Sequence, residues 1–205
     1  MAPTLVYWPV SGRGGLIRLI AGYGGVELND APTLPEGTTH CECGSAGTLP
    51  LLIDGDFKIN ESVAIASYVA SIAPKLSGLT AQQRAKDMQF TCLLETILPS
   101  LAKHLFGEKK KEDFQAAADK YFPVVEGILP ETGFVNGLDY PTVADLVTVI
   151  LCEGYMPFGA SYKLADIDVA KQFPKLKAHA DRTLAVEGVA STMAKASYKA
   201  ALPGF

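Results

Sequence analysis

The chain has 205 residues, of which 48% are apolar, and a formal net charge of -4 at pH 7. This length and apolar content allow a sizeable core, as one compact unit or two small domains, and exclude a disordered chain. A net negative charge does not favour binding to nucleic acid, which is itself negatively charged. The lysine run at 109–111 is followed at once by Glu112 and Asp113, so we interpret it as a solvated face.

The hydropathy pattern does not indicate a membrane protein. No segment reaches the ~20 apolar residues that cross a bilayer. The opening Met1-Ala2-Pro3-Thr4 has neither the basic start nor the apolar stretch of a secretory signal. Four scattered cysteines are too few for a disulfide scaffold in a chain of this length. We therefore expect a soluble protein of a reducing, cytoplasmic compartment, with no membrane and no nucleic-acid partner.

The first predicted elements are a strand and a helix joined by a glycine-rich turn. Residues 4–10 are β-branched and aromatic, which favours a strand, and apolar residues then recur at helical spacing until Gly24 stops the pattern. A second, weaker strand is predicted over residues 26–33, followed by a polar, glycine-rich loop over residues 35–47. This alternation indicates an α/β unit.

A hairpin and a second helix follow. Two apolar runs, residues 51–53 and 57–59, flank Asp54-Gly55, a dipeptide that readily adopts the positive φ angles of a tight turn. Asn60 is predicted to cap the next helix, which Pro74 ends. The residues of this helix predicted to face inward are Val63, Ile65, Val69 and Ile72.

Beyond this helix the strand patterns disappear and only helical patterns remain. The change predicts a linker near residues 74–79, an α/β domain over residues 1–74 and an all-helical domain over residues 80–205. Within the helical part, the clearest helix is predicted over residues 142–152. Its opening Thr-x-x-Asp pattern is a capping box, which stabilises a helix start and has no chemical role.

Three segments of the α/β part carry groups suited to a small ligand. If the first strand is central and the strand after Leu49 lies beside it, Tyr7, Leu49 and the helix start at Glu61-Ser62 meet at one end of the sheet. The helix start and the Ser62 hydroxyl suit a carboxylate, and Glu61 suits an ammonium, so together they fit an α-amino acid head. A phenol that donates to sulfur favours thiolate over thiol.

Each of these features also has an ordinary structural explanation. Tyr7 also suits packing beside Trp8 on a strand, and Glu61-Ser62 also suits a helix cap. Ser11, in the turn after the first strand, is a competing candidate for thiol activation. The segment 40–43, His-Cys-Glu-Cys, has metal-capable side chains but no second pair of ligands, so we expect no metal site there.

The start of the chain resembles one known family. Tyr7, Gly12-Arg13 and Arg18 look like the Tyr-x(4)-Gly-Arg-x(4)-Arg start of the tyrosine-type cytosolic glutathione transferases, particularly the Sigma class. Three further segments match in order and extend the likeness over nearly the whole chain. They are Gly47-Thr48-Leu49-Pro50-Leu51-Leu52 with Asp54-Gly55, Glu61-Ser62-x-Ala64-Ile65-x-x-Tyr68, and Thr142-Val143-Ala144-Asp145.

The resemblance implies a fold and an activity. It implies an α/β thioredoxin-like N-terminal domain that binds glutathione, an all-α C-terminal domain that contributes the acceptor pocket, and a homodimer. The activity implied is transfer of the glutathione thiolate to small, mostly apolar electrophiles, as in detoxification. Two alternatives stay open: a glutathione-binding or ligand-binding protein of this fold with little turnover, and a glutathione-dependent isomerase or peroxidase.

The resemblance also implies roles for particular residues. Tyr7 would stabilise the glutathione thiolate, with Arg13 supporting that site. A cis bond between Leu49 and Pro50 would turn the N–H and C=O of Leu49 outward to pair with the cysteinyl backbone. Glu61 and Ser62 would hold the γ-glutamyl head.

The loop before Leu49 departs from the Sigma pattern. Where that pattern has a tryptophan and a lysine, an ungapped count reaches Gly37 and Cys41, and Thr48 stands where Gln or Lys is usual. Either His40 substitutes for them or the loop is displaced, and we predict weaker or differently built glutathione binding. Position along the chain alone suggests four residues for the acceptor pocket: Val10, His104, Tyr155 and Phe205.

Overall fold

The computed structural model describes residues 1–202 and contains a four-stranded sheet of order β2-β1-β3-β4. The first strand runs parallel to the second and antiparallel to the third, and the last two strands form an antiparallel hairpin. The strands are β1 (Thr4–Val6), β2 (Asn29–Ala31), β3 (Leu51–Asp54) and β4 (Phe57–Asn60). Strand β1 is thus central and β3 lies beside it, which is the arrangement assumed in the sequence analysis.

Two helices belong to the sheet region, and the rest of the described chain is helical. The helices are α1 (Gly12–Gly24), α2 (Ser62–Ile72), α3 (Ala81–Phe106), α4 (Lys111–Ile128), α5 (Val143–Glu153), α6 (Ala160–Ala165), α7 (Val169–Gln172), α8 (Pro174–Leu184), α9 (Glu187–Met193) and α10 (Ala196–Lys199). Short helical turns lie at Cys41–Cys43, Pro74–Leu76 and Tyr155–Gly159. The predicted fold class, an α/β thioredoxin-like unit followed by helices, is confirmed.

Several predicted boundaries differ from the structure. Strand β1 ends at Val6 rather than at residue 10, because the Tyr7 N–H makes a last bond to the Ala31 carbonyl (2.9 Å) before the chain turns. The hairpin turn falls on residues 55–56, one position later than predicted. Asn60 ends β4 instead of capping α2, and Glu61 precedes the helix at a φ of 67°.

The buried face of α2 is narrower than predicted. Ile65 and Val69 are fully buried, as expected, but Ile72 is 39% exposed. Small residues, Ala66 and Ala70, occupy the rest of the buried face. Ile72, the last residue of the helix, lies at the surface.

Helix α5 is the centre of the helical part. Residues 143–151 are all buried, and the helix packs against α1, α3 and α8. The predicted capping box is present, with the Thr142 N–H donating to the Asp145 carboxylate at 2.8 Å. One continuous apolar core includes side chains from the sheet region and the helices, which holds the two parts in a fixed arrangement.

Within residues 1–202, no single helix has the length and apolar character needed to cross a membrane. One bent pair, Val143–Glu153 with Tyr155–Ala165, meets the criteria jointly across a 46° break, by length and composition alone.

Candidate active site

A cavity of about 610 Å³ lies where β1, the loop before β3, and the start of α2 meet. The residues that line it are Tyr7, Trp8, Arg13, His40, Gly47, Thr48, Leu49, Pro50, Glu61, Ser62 and Glu95. The structure therefore brings together Tyr7, Arg13, Leu49, Pro50, Glu61 and Ser62, the residues that the sequence singled out for thiol chemistry.

Tyr7 presents a phenol at this cavity. The Arg13 backbone N–H donates to its oxygen at 3.0 Å, and since that contact uses the oxygen as acceptor, the hydroxyl hydrogen remains for a ligand. Burial raises the pKa of the Tyr7 phenol, and the Arg13 N–H and the positive charges of Arg13 and Arg18 offset this only in part. At neutral pH the group is thus a protonated hydrogen-bond donor.

Two glycines of the turn make room for the Tyr7 ring. A Cβ built on Gly14 would lie 2.5 Å from the Tyr7 Cδ1 atom, and one built on Gly12 would overlap the phenol oxygen. Gly12 also has a φ of 40°, which side chains rarely adopt. The glycine-rich turn is therefore needed for the position of the phenol as well as for the turn itself.

Arg18 fixes the backbone that follows Tyr7. Its guanidinium is nearly fully buried and donates to the carbonyls of Val10 (2.7 Å) and Trp8 (2.9 Å). Two further bonds, at 2.6 and 2.8 Å, join it to the Asp30 carboxylate on β2. Arg18 thus ties the Tyr7 turn to the sheet without lining the cavity.

Ser11 lies away from the cavity. Its hydroxyl is buried and is the neighbour that a Cβ at Gly15 or Gly154 would meet, so it sits between α1 and the end of α5. Among the described residues it has no hydrogen-bond partner. This placement removes the competing thiol activator from the reacting position.

Leu49 lines the cavity, and its backbone N–H and C=O are the groups of interest. The Leu49-Pro50 bond is cis, as the resemblance implied. Within residues 1–202, the N–H and C=O of Leu49 take part in none of the hydrogen bonds of the chain. Both groups are therefore available to an extended peptide lying in the cavity.

The start of α2 forms the charged end of the cavity. The Ser62 hydroxyl donates to one oxygen of Glu95 at 2.8 Å, and the Arg13 Nε donates to the other at 2.9 Å. Glu61 stands beside them at a left-handed φ, an uncommon conformation that clusters at functional sites.

Glu95 is the residue that the sequence reasoning missed. It belongs to α3, 33 positions after Ser62, so no local spacing connects the two. The one signal in the sequence is a carboxylate directly after Leu94, in a segment whose apolar residues recur at helical spacing.

The opposite end of the cavity is lined by His40, Gly47 and Thr48. The N–H groups of Gly47 and Thr48 donate to the Ser45 hydroxyl at 3.2 and 2.9 Å, which closes this loop on itself. His40 Nδ1 is buried without a hydrogen-bond partner among the described residues. Gly37 and Cys41, which stand at the positions of the Sigma-class tryptophan and lysine, do not line the cavity.

A second, smaller pocket of about 100 Å³ adjoins the first and shares Tyr7, Trp8 and Arg13 with it. Its other lining residues are Val10, Gly12, Leu98, Ala102, Phe106, Met156, Pro157 and Leu202. Its wall is mostly apolar, and its position next to the Tyr7 hydroxyl suits an apolar reactant.

The four residues suggested for an acceptor pocket fall in different places. Val10 lines this pocket. The His104 ring instead contacts Asp113 (3.3 Å) and the Phe114 ring, and Tyr155 packs over Gly159, so neither is part of the wall. Phe205 lies outside the described residues.

Comparison with known proteins supports one family. No family model matches the chain. A putative glutathione S-transferase alpha-2 of Dictyostelium discoideum is 28% identical over 184 residues, covering 85% of this chain and 84% of that protein. A glutathione S-transferase structure from Caenorhabditis elegans is 27% identical with a TM-score of 0.70, covering 95% and 98%. One from Ascaris lumbricoides is 22% identical with a TM-score of 0.74, covering 95% and 97%.

The structural neighbours share this fold, in which a thioredoxin-like unit is joined to a helical part. The relatives and structural neighbours to which this chain is similar over most of its length are thus named as glutathione S-transferases, the Dictyostelium protein as a putative one.

Proposed function

We propose that this protein is a tyrosine-type, Sigma-like glutathione transferase that conjugates the glutathione thiolate to small, mostly apolar electrophiles, a detoxification reaction. The observation that carries the proposal is the single cavity in which the Tyr7 hydroxyl, the open backbone of Leu49 and the charged end at Ser62 occur together. Residues 1–74 would form the glutathione-binding domain and residues 80–205 the domain that supplies most of the acceptor pocket.

Tyr7 acts as a donor to sulfur. A hydrogen bond from the phenol stabilises the thiolate relative to the thiol, whose free pKa is ~8.5, and so increases the nucleophile at neutral pH. Because burial raises the pKa of Tyr7, the phenol keeps its proton and donates without acting as a base. Arg13 supports this through its N–H on the phenol oxygen.

Glutathione would lie along Leu49 with its two ends at the two ends of the cavity. The cysteinyl N–H and C=O pair with Leu49, which places the thiol at Tyr7. The γ-glutamyl carboxylate binds the first N–H groups of α2, which begin at Ser62, while the Ser62 hydroxyl stays bonded to Glu95. Its ammonium binds Glu95 and Glu61, so that each charge of the head meets its opposite.

The electrophile would bind in the adjoining apolar pocket. Val10, Leu98 and Met156 supply an apolar wall, and Trp8 lies at the boundary with the thiol cavity. An electrophile there lies beside the thiolate, and apolar walls exclude water that would otherwise solvate the nucleophile.

The protein would act in the cytoplasm as a homodimer. Ile72 on α2 and Met88 on α3 are exposed apolar side chains, and a groove of about 200 Å³ lies between these two helices. A second copy would cover this face. Light scattering of the purified protein tests the proposal, and the mass of one chain would contradict it.

The test of the enzymatic role is Tyr7→Phe, with chlorodinitrobenzene as electrophile. We expect kcat/KM at pH 7 to fall roughly ten- to a hundredfold, as for loss of a hydrogen bond to a charged group worth about 1.5–3 kcal/mol. The loss should shrink above the pKa of the free thiol, because thiolate then forms unaided. Tyr121→Phe, on α4 and outside both pockets, is the matched control. Wild-type activity of Tyr7→Phe at pH 7 would overturn the role.

A further inference from the structure

The two ends of the large cavity differ in charge. All of its formally charged lining residues, Arg13, Glu61 and Glu95, gather around Ser62 at the start of α2. If the cysteinyl residue lies opposite Leu49 and the γ-glutamyl head at Ser62, the third residue of the peptide extends over the other end. That end is formed by His40, Gly47 and Thr48.

The loop at this other end has already used its hydrogen-bond donors. Ser45, which is buried, accepts from the N–H groups of Gly47 and Thr48, and its hydroxyl also contacts both the carbonyl (2.9 Å) and the hydroxyl (3.1 Å) of Thr48. A carboxylate placed here would therefore find neither of these N–H groups open to it. Because desolvating a carboxylate without a cation or free donors is unfavourable, a glycyl carboxylate here stays hydrated and its charge contributes little to binding.

Apart from the Thr48 hydroxyl, which contacts Ser45, His40 is the polar side chain that lines this end. The Nδ1 atom of His40 is buried without a partner among the described residues. The tautomer with the proton on Nε2 is favoured, because an unpaired acceptor at Nδ1 costs less free energy than an unpaired donor. One imidazole of this kind can bond an amide, an ester or a carboxylate, and it does not select for the negative charge.

We propose that the cavity recognises the γ-glutamyl-cysteinyl part of its thiol and is indifferent to charge on the third residue. This rests on the proposed function. Peptide thiols whose glycyl carboxyl is an ester or an amide are then co-substrates equivalent to glutathione. The substrate class is γ-glutamyl-cysteinyl thiols, including those joined to a further group through the glycyl carboxyl.

The test compares glutathione with its glycyl monoethyl ester on the wild-type protein. Trp8 is the single tryptophan of the chain and lines the cavity, so its fluorescence reports binding directly, and KM in the conjugation assay gives a second readout. We expect Kd and KM of the two thiols to agree within about threefold. A weakening of roughly tenfold or more for the ester, as a lost charge-assisted bond produces, overturns the proposal.

N-acetylglutathione is the control for the charged end. Because acetylation removes the ammonium that faces Glu95, we expect its Kd to rise at least about tenfold. An unchanged Kd would overturn the placement of the peptide and the proposal with it. If glutathione itself neither binds nor reacts, the proposed function is wrong. If glutathione binds tightly and its ethyl ester binds weakly, only the present inference is wrong.

A gain of selectivity completes the test. Thr48→Lys places a cation at the uncharged end and should favour glutathione over the ester severalfold. Thr48→Gln, of similar length and neutral, should leave their ratio near one, which separates charge from disturbance of the Ser45 loop. Equal ratios in the two variants would show that the glycyl end does not reach Thr48 and would overturn the proposal.

Discussion

Two of the clusters of hydrogen-bonded polar side chains in this protein differ in what remains open around them. The cavity cluster is Arg13, Ser62 and Glu95, and the buried cluster joins Asp87 and Asp145 to their partners on α5, α8 and the loop before α5. In the cavity cluster, Arg13 and Glu95 are 39% and 21% exposed. In the buried cluster both carboxylates are almost completely hidden.

The buried cluster satisfies its own members. Asp145 accepts from the N–H groups of Thr142 and Val135 and from His179 Nε2, each at 2.8 Å. Arg182 donates to His179 Nδ1 at 2.9 Å, which assigns the ring proton to Nε2 and makes the histidine a donor to Asp145. Both oxygens of Asp145 and both ring nitrogens of His179 are bonded within the set, so its role is stability.

The cavity cluster keeps open groups beside it. The backbone of Leu49 and the hydroxyl hydrogen of Tyr7 face the same cavity, and the first N–H groups of α2 lack intrahelical partners. In this fold, burial of polar residues therefore does not distinguish the candidate site from a structural cluster. Accessible groups without a partner do.

The largest expected effect is on the buried cluster. Asp145→Ala leaves several buried donors unpaired, and we expect the free energy of unfolding to fall by about 3–5 kcal/mol. Urea denaturation followed by circular dichroism measures this. Asp168→Ala, which removes an exposed cap of α7, is the control and should change stability much less. Equal losses in the two variants would refute the structural role.

The cavity cluster should respond in the opposite way. Glu95→Gln removes the charge that pairs with Arg13 and, in the proposal, with the ligand ammonium. We expect Kd for glutathione to rise about tenfold. The free energy of unfolding should change by less than about 1 kcal/mol, since the pair is partly exposed.

Calorimetric titration and urea denaturation of the same Glu95→Gln preparation separate the two effects. Glu42→Gln, which breaks the exposed pair with Lys58, is the matched control and should leave both quantities near wild type. A Glu95 variant that loses stability but keeps its affinity would reverse the comparison.

The smallest effect concerns the pH dependence of stability. Burial raises the pKa of Asp87 above its usual 3.8, although bonds from Thr142 and Ala144 oppose the shift. The stability that Asp87 contributes is therefore full below pH ~3.8 and is lost as pH rises through the raised folded value. In Asp87→Asn this dependence disappears, so the stability of wild type relative to the variant should decrease between about pH 4 and pH 7. A difference that grows over this range would contradict the assignment.

Local patterns predicted the parts of the fold that depend on neighbouring residues. The hairpin and the capping box of α5 are present because turn and cap preferences act over two to four residues. The cis Leu49-Pro50 bond came from the family resemblance, since base rates alone disfavour it.

Tertiary packing decided the rest. Ile72 has the helical spacing of a core residue, yet alanines fill the buried face of α2. Glu95 meets Ser62 and Arg13 only because α3 crosses the start of α2, and no periodicity encodes that crossing. Position along the chain also did not predict where His104 and Tyr155 lie. Their rings contact Asp113 and Gly159 and do not line the smaller pocket.

The glycines at positions 12 and 14 have a consequence for engineering. Both glycines lie against the Tyr7 ring, and any larger side chain at either position would collide with that ring before it contacted a ligand. Directed-evolution libraries aimed at new electrophiles should therefore hold both positions constant and randomise the apolar wall formed by α3 and Met156. Screening of libraries at the two glycines and at the apolar wall side by side would separate loss of the Tyr7 donor from a change in the acceptor that is bound.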